Sequence, residues 1–412
     1  MKKVDLITKS FDMVNKGKSS LPPNSDPTSE LEELHFELTY QCNQKCVMCN
    51  IWNRYKLDPS LKKEELSFDE IKGFVEKSDY LKKIKLVIFS GGEPFLRDDI
   101  VGLCGYFSNH YPNISIGILS NLFNTHLTME KLQEINDLYH PRDLWIGSSL
   151  DGLDEKHDEI RGVNGAFKGS LNTIQAIKAK FPSVRVCLNF TLTTRNYGEL
   201  LPAFRFAKDW GIDFSAQFAV PWENAESYSW NSEILEEIEE KIDIILQEII
   251  EDYRAKGILQ EMTESIDIGL LSKLYYWKGL TLYQKNPHRF FRRCVAGAKF
   301  AIFSPNGDIY FCPILKGRIV GNIRDYNYYF DTLWISNQGN KIREFINRGR
   351  CHCWLNCTIY PNAVEAMGCA QTIANKSFRF IARLLKGHST KEKNKGRSTI
   401  FKNQVRDTTE SG

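Results

Sequence analysis

The stretch Leu34-His-Phe-Glu-Leu38-Thr-Tyr-Gln-Cys42-Asn-Gln-Lys-Cys46-Val-Met-Cys49 runs from an apolar segment, read as a β-strand, directly into three closely spaced cysteines. The spacing is C-x3-C-x2-C. Thiolates this close wrap one face of a cubic iron–sulfur cluster, whose usual ligands are cysteines. Three thiolates serve three of its four irons and leave the fourth open to a small molecule. A closed structural zinc site is the competing reading, but it needs four ligands, usually as two paired Cys/His elements. No histidine or fourth cysteine lies near the loop. The next cysteine, Cys104, falls in the apolar helical pattern Ile100-Val-Gly-Leu-Cys-Gly-Tyr-Phe107. It reads as a buried small hydrophobe, as does Cys187 between Val186 and Leu188.

Outward from this loop, strand-like and helix-like patterns alternate. Strands are expected at Ile84–Phe89, Ile114–Leu119, Leu144–Leu150, Val184–Phe190 and Phe214–Ala219. Helices are expected over 67–78, where Ser67 and Glu70 form a capping box, from Asp98, and over 128–139, 167–180 and 197–210. Six βα repeats with apolar strands imply a parallel sheet covered by helices, curled by right-handed crossovers. The expected fold class is therefore α/β, a partial (β/α)6 TIM-type barrel with one open side. Residues 1–30 read as a flexible lead and 31–222 as the partial barrel. A helical connection follows over 223–290, with helices at Glu233–Lys256 and Ser265–Gly279. A small cysteine-rich unit spans 291–372, and 373–412 form a basic tail.

Length and composition limit the function classes. The 412 residues are 42% hydrophobic and 25% charged, with a formal net charge of +3. That balance fits a soluble globular chain with no general affinity for nucleic acid. The N-terminus lacks the apolar core of a secretory signal, and no stretch approaches a membrane span. Eleven cysteines, an odd number grouped at metal-ligand spacings, argue against a disulfide framework and for a reducing cytoplasm. The tail carries ten Lys/Arg against three acids from Lys376 onward, with apolar residues at near-helical spacing. It is read as a solvated or docking helix, with peripheral membrane contact as the alternative.

Ligands of parallel α/β folds collect at the C-terminal ends of the strands, and the chemistry-bearing residues fall there in turn. Strand two leads to Ser90-Gly-Gly-Glu-Pro94, where Gly91 and Gly92 allow close backbone approach and Glu93 offers a carboxylate at the cavity mouth. Strand three leads to Ser120-Asn121, small polar groups suited to hydroxyls or carboxylates. Strand four leads to Ser148-Ser-Leu-Asp-Gly152 and then Lys156-His-Asp-Glu-Ile-Arg-Gly162. Arg161 has the planar fork for a carboxylate, whereas His157 and Asp158 are read as organisers of the loop.

Together, C-x3-C-x2-C, GGEP, and SLDG with a downstream H-D-x-x-R-G resemble the radical S-adenosylmethionine (SAM) enzymes, in the branch with a C-terminal SPASM or shortened Twitch extension. The resemblance runs from about residue 32 to 370. It implies that Cys42, Cys46 and Cys49 hold a [4Fe-4S] cluster whose open iron is chelated by the methionine end of SAM. It further implies that Gly91, Gly92 and Glu93 line the methionine amino group, that Ser149 is the ribose-side serine and that Arg161 is the carboxylate-side arginine. Met48 stands where the family commonly has an aromatic against adenine. A reducing electron donor of flavodoxin or ferredoxin type is implied as a partner.

The C-terminal cysteines carry a second signal. Cys294 is followed by Gly307 and Cys312, matching the family's C-x9–15-G-x4-C element. The run Cys351-His-Cys-Trp-Leu-Asn-Cys357, with Cys369 beyond it, departs from the longer family pattern. One auxiliary [4Fe-4S] cluster is expected, on Cys294, Cys312, Cys353 and Cys357 with Cys351 competing, and a zinc knuckle is the alternative. The implied activity is reductive cleavage of SAM to a 5′-deoxyadenosyl radical that takes hydrogen from a peptide, sugar or small metabolite. An acidic residue that sulfatase-maturing relatives place after the second cysteine is here Pro313, which weighs against that role. The reading from a different class is an iron–sulfur or zinc electron-transfer or scaffold protein without SAM cleavage.

Overall fold

A computed structural model describes residue 28 and residues 31–220, 228–256, 268–290 and 294–373. The repeating unit is strand then helix: β1 (Glu33–Thr39), α1 (Phe68–Lys77), β2 (Leu86–Gly91), α2 (Ile100–His110), β3 (Ser115–Leu119), α3 (Thr125–Tyr139) and β4 (Asp143–Ser149). After it come α4 (Asp154–Arg161), α5 (Ala166–Lys180), β5 (Arg185–Leu192), α6 (Leu200–Asp209) and β6 (Asp213–Phe218). The capping box forms as expected, with Ser67 and Glu70 each satisfying the other's backbone N–H. Helix α3 starts earlier than its apolar spacing suggests because the Asn124 side chain accepts the Leu127 N–H and fixes the first turn.

All six strands pair in parallel, in the order β6-β5-β4-β3-β2-β1. The fold is α/β, and the sheet is open: among the described residues its two edge strands do not pair with each other. The strands differ in how apolar their second face is. On β1, Leu34, Phe36 and Leu38 are buried, while Glu33, His35 and Glu37 occupy the opposite face. Register carries this alternation across the sheet, because partners lie on the same side. Glu37 pairs with Ser90, Ser149 with Asn189, and Asn189 with Ser215. One face is thus sealed by helices, and the other carries these polar groups beside apolar ones such as Ile88 and Ile302.

The sequence from residue 291 onward enters the same sheet. After α7 (Ser232–Ala255) and α8 (Ile268–Lys285), strand β7 (Phe300–Phe303) pairs in parallel with β1, from Glu33 opposite Phe300 to Phe36 opposite Phe303. Strands β8 (Asp308–Tyr310) and β9 (Gly321–Asn322) continue the sheet antiparallel. Phe303 stacks on Phe36 and on Phe74 of α1, each at 4.9 Å between ring centres. Helices α9 (Asn337–Asn347) and α10 (Asn356–Ile373) follow, and α10 packs on α8. The expected helix at 265–279 is α8, which runs on to Lys285. The lead and the basic tail lie outside the described residues, apart from Thr28.

Candidate active site

The cysteine loop leaves the C-terminal end of β1 and is held from two sides. On one side, Gly92 N–H donates to Thr39 O at 2.6 Å and Glu93 N–H to Gln41 O at 2.8 Å. A Cβ on Gly92 would lie 2.0 Å from Gln41 O, and Gly91 has φ +116° with Thr39 O 2.5 Å from where its Cβ would be. Only glycine allows this approach. The pair of glycines therefore presses the β2 turn against the start of the loop.

The second clamp is the end of α4. Lys45 N–H donates to Arg161 O and Val47 N–H to Ile160 O, both at 3.0 Å. Gly162 ends the helix in the left-handed conformation, and a Cβ there would strike Lys45 O at 2.4 Å. The R-G pair of the sequence is thus a seat for the cysteine loop.

Glu93 faces inward and not toward the cavity mouth. It is 3% exposed; Oε1 accepts from Phe95 N at 3.1 Å and from Ser120 Oγ at 2.8 Å, and Oε2 from Asn121 N at 2.8 Å. Burial holds its carboxyl up at about 7 against these hydrogen bonds. Ser120 is equally engaged, accepting from Leu122 N. Asn121 Nδ2 reaches Asn43 Oδ1 at 2.7 Å and approaches Cys42 Sγ at 3.9 Å. Glu93 and Ser120 thus tie the β2 and β3 turns to each other. The physical reason is that a buried carboxylate must be fully hydrogen-bonded.

Arg161 is buried, with Nη2 2.5 Å from Asp151 Oδ2 and Nη1 3.5 Å from Cys46 Sγ. Asp151, wholly buried, also accepts from Thr191 N at 2.6 Å. His157 is buried too, its Nδ1 accepting from Asp151 N at 3.1 Å, and burial drives its pKa down to about 3, so it is neutral. Asp158 receives the N–H groups of Gly165 and Phe167 and caps α5. Both act as loop organisers, as read. The fold pairs Arg161 with Asp151, where spacing alone does not choose between Asp151 and Asp158.

Cys42, Cys46 and Cys49 stand within one another's electrostatic reach. Burial pushes the Cys42 thiol up to about 12 and raises Cys49 as well. Thiolates placed there require a nearby cation, either a bound metal cluster or the Arg161 guanidinium. Met48 packs with Cys46, Ile160 and Tyr228. Residues 221–227 of the aromatic-rich stretch lie outside the described residues, but Trp230 stands edge-on to Phe218 at 4.8 Å. Ser149 ends β4 on the polar face, half-buried.

The C-terminal cysteines also converge. Cys294, Cys312, Cys351 and Cys353 line one pocket together with Arg289 and His352. Cys357, in the first turn of α10, lies within electrostatic reach of Cys294, Cys312 and Cys353. Burial raises the thiols of Cys294, to about 11, and of Cys312, Cys353 and Cys357. Cys369 falls where side chains lie outside the description. Cys104 is fully buried as expected; Cys187 is only half-buried, because it sits on the polar face of β5. Lys316 Nζ meets Glu37 Oε1 at 2.6 Å, tying the C-terminal segment to β1 on that face. Among the described residues no three His, Cys, Asp or Glu side chains are grouped to chelate a single metal ion, and no helix is long and apolar enough to cross a membrane.

Residues 36–207 match the Radical SAM superfamily family model. They are a radical SAM domain. The matched region contains all three cysteines of the first loop, both of its clamps and strands β2 to β5, while the second group of cysteines lies beyond it. An AdoMet-dependent heme synthase of Methanosarcina barkeri is 27% identical over 70% of this chain and 78% of its own length. The sporulation killing factor maturation protein SkfB of Bacillus subtilis is 27% identical over 40% of this chain and 37% of its length. The fold is also that of Streptococcus suis SuiB bound to S-adenosylmethionine, with a TM-score of 0.53 and 16% identity over 77% of this chain and 68% of that one.

Proposed function

We propose that this radical SAM protein cleaves SAM reductively and uses the resulting 5′-deoxyadenosyl radical to take hydrogen from a substrate held on the polar face of the sheet. The observation that carries the reading is the convergence of Cys42, Cys46 and Cys49 on a loop clamped by Gly91-Gly92-Glu93 and by α4. Those three cysteines would hold a [4Fe-4S] cluster, which when bound supplies the electron and an open iron for the amino and carboxylate groups of SAM. The donor set is suitable, because three thiols converge on one loop beside the Arg161 guanidinium, a cation that offsets the charge of ligated thiolates.

The chain's own residues do the rest. Glu93, locked by Ser120 and Asn121, fixes the two turns that flank the loop. Arg161 offsets the negative charge at Cys46 and is itself oriented by Asp151. Ser149 ends β4 toward the ligand side, whereas Asn189 and Ser215, beside it in register, hold the Asn356 side chain of α10. The named relatives, a heme synthase and a peptide maturation protein, put small metabolites and peptides first among the classes to test. A flavodoxin or ferredoxin supplies the reducing electron, and the C-terminal cysteines would hold a second cluster.

The test is chromatographic. Anaerobically reconstituted, dithionite-reduced protein should convert SAM to 5′-deoxyadenosine and methionine, even slowly without substrate. A protein with Cys42, Cys46 and Cys49 all replaced by Ala should form neither product. Well-loaded wild-type protein that yields no deoxyadenosine would support an electron-carrier role instead.

A further inference from the structure

Gln44 stands between the first two cysteines of the loop, and its side-chain amide is shut away from water. The residue is 1% exposed, and its Nε2 is buried without a hydrogen-bond partner. We infer that Gln44 is a positioning residue for electron entry: its amide donates a hydrogen bond to the Cys46 sulfur once that sulfur binds iron, and so makes the loop cluster easier to reduce. This rests on the loop cluster of the proposed function and goes on to name the side chain that sets its readiness to take an electron.

The orphaned donor is the first ground. Burying an amide N–H without an acceptor costs its full desolvation, so a native structure that keeps one has an acceptor for it in another state. The second ground is where the amide lies. Gln44 Oε1 and Cys46 Sγ are 3.9 Å apart, and the Gln44 backbone N–H hydrogen-bonds Cys42, so the residue spans the first two sulfurs. With Cys46 a thiol, its S–H is the donor in that contact. A sulfur bound to iron has no hydrogen to give and only accepts. A half-turn about the last torsion of the side chain, which is broad and roughly two-fold, then brings Nε2 toward the sulfur. The third ground is the company these sulfurs keep. Arg161 Nη1 lies 3.5 Å from Cys46 Sγ, and Asn121 Nδ2 lies 3.9 Å from Cys42 Sγ. N–H groups thus approach the two sulfurs from the loop itself, from the turn after β3 and from α4.

The effect on the electron follows from burial. Reducing a cluster adds negative charge, and hydrogen bonds to its sulfurs are among the groups that set its potential. Cys46 is buried, and a hydrogen bond in such a site is electrostatically stronger than one in water. Arg161 is committed to Asp151 as well as to Cys46, whereas the Gln44 Nε2 has no other acceptor among the described residues. Gln44 is therefore the neutral donor of the set. Its loss removes one hydrogen bond without stranding a buried charge.

The experiment compares wild type with Gln44→Met, which keeps the length of the side chain and lacks the N–H. The loop cluster is the EPR signal that anaerobically reconstituted wild type shows and the Cys42/Cys46/Cys49→Ala protein does not. In Gln44→Met the iron content should match wild type. At a fixed solution potential the reduced-to-oxidised ratio of that cluster should fall about three- to tenfold, the weight of one hydrogen bond. That corresponds to about 30–60 mV for a one-electron couple. ENDOR spectra of the reduced cluster in light and heavy water should show one exchangeable proton fewer. The apo protein should melt at the same temperature or higher, because a buried donor without a partner has been removed. Gln44→Leu takes the place of a Met variant that does not fold. A folded variant with an unmoved potential, or a moved potential with every exchangeable proton kept, overturns the inference. So does an apo variant that melts lower and fails to hold iron, the mark of a residue that only builds the loop. Wild type without the difference signal would instead end the loop-cluster reading itself.

Discussion

Arg161 is where two roles compete within one side chain. Its guanidinium is oriented by a wholly buried Asp151 at 2.5 Å and also reaches Cys46. Removing one member of a buried pair leaves the other as an uncompensated charge, which costs about 3–5 kcal/mol. Arg161→Ala should therefore lower the urea midpoint of the apo protein strongly, with no SAM or iron present. Asp151→Asn combined with Arg161→Met should recover part of the loss, because the stranded charge is gone. An Arg161→Ala apo protein as stable as wild type, yet weaker for SAM, would make the arginine a direct carboxylate contact. From sequence alone the cysteine trio, the glycines and the arginine stand out as candidates, because close approach and metal ligation demand particular residue types. The ties made by Glu93 and Ser120 do not, because whether a polar side chain faces a ligand or a neighbouring turn is decided by packing between β2 and β3.

At the scale of elements, the tie between the first helix and the C-terminal segment is one no local pattern announces. Glu70 completes the capping box of α1 and also meets Arg324 Nε at 2.7 Å and Tyr328 Oη at 2.6 Å, more than 250 residues away in sequence. Burial alone would raise its carboxyl, but the hydrogen bonds from Arg324 and Tyr328 prevail and hold it down at about 2. Its folded value thus lies below the 4.5 of a free glutamate. The stabilisation is fully present above pH 4.5 and is lost as pH falls from there toward 2. For a partly exposed site, solvent screening limits it to about 1 kcal/mol. Glu70→Gln, which keeps a cap partner, should lower the melting temperature slightly at neutral pH. It should also flatten the fall of stability with acid in that window. An unchanged acid profile would mean that Arg324 gains nothing from the ionised form. The βα alternation was legible because each unit carries its own periodicity. Strand β7 was not, since Phe300–Phe303 is a four-residue apolar run whose partner, β1, lies at the other end of the chain.

For the whole molecule, that strand decides how the cysteine-rich segment relates to the radical SAM domain. A separate domain would bury its own core and share a modest, polar boundary. Here β7 adds to β1 through a parallel ladder, and Phe303 stacks between Phe36 and Phe74 in the same apolar core. The two cysteine sites consequently lie on one continuous sheet, with the Glu37–Lys316 pair joining β1 to the segment that follows Cys312. The sheet therefore fixes the spacing between the two groups of cysteines. The expected outcome is one cooperative unfolding transition of the apo protein, with coincident denaturant curves from far-UV circular dichroism and from hydrogen exchange in residues 300–347 of the C-terminal segment. Phe303→Ala, an aromatic-to-alanine change in a packed core, should cost about 3–5 kcal/mol and shift both curves together. Two separated transitions, or a Phe303→Ala effect confined to the exchange of residues 300–347, would show that the segment folds on its own. The spacing between the sites would then be set by a hinge and not by the sheet.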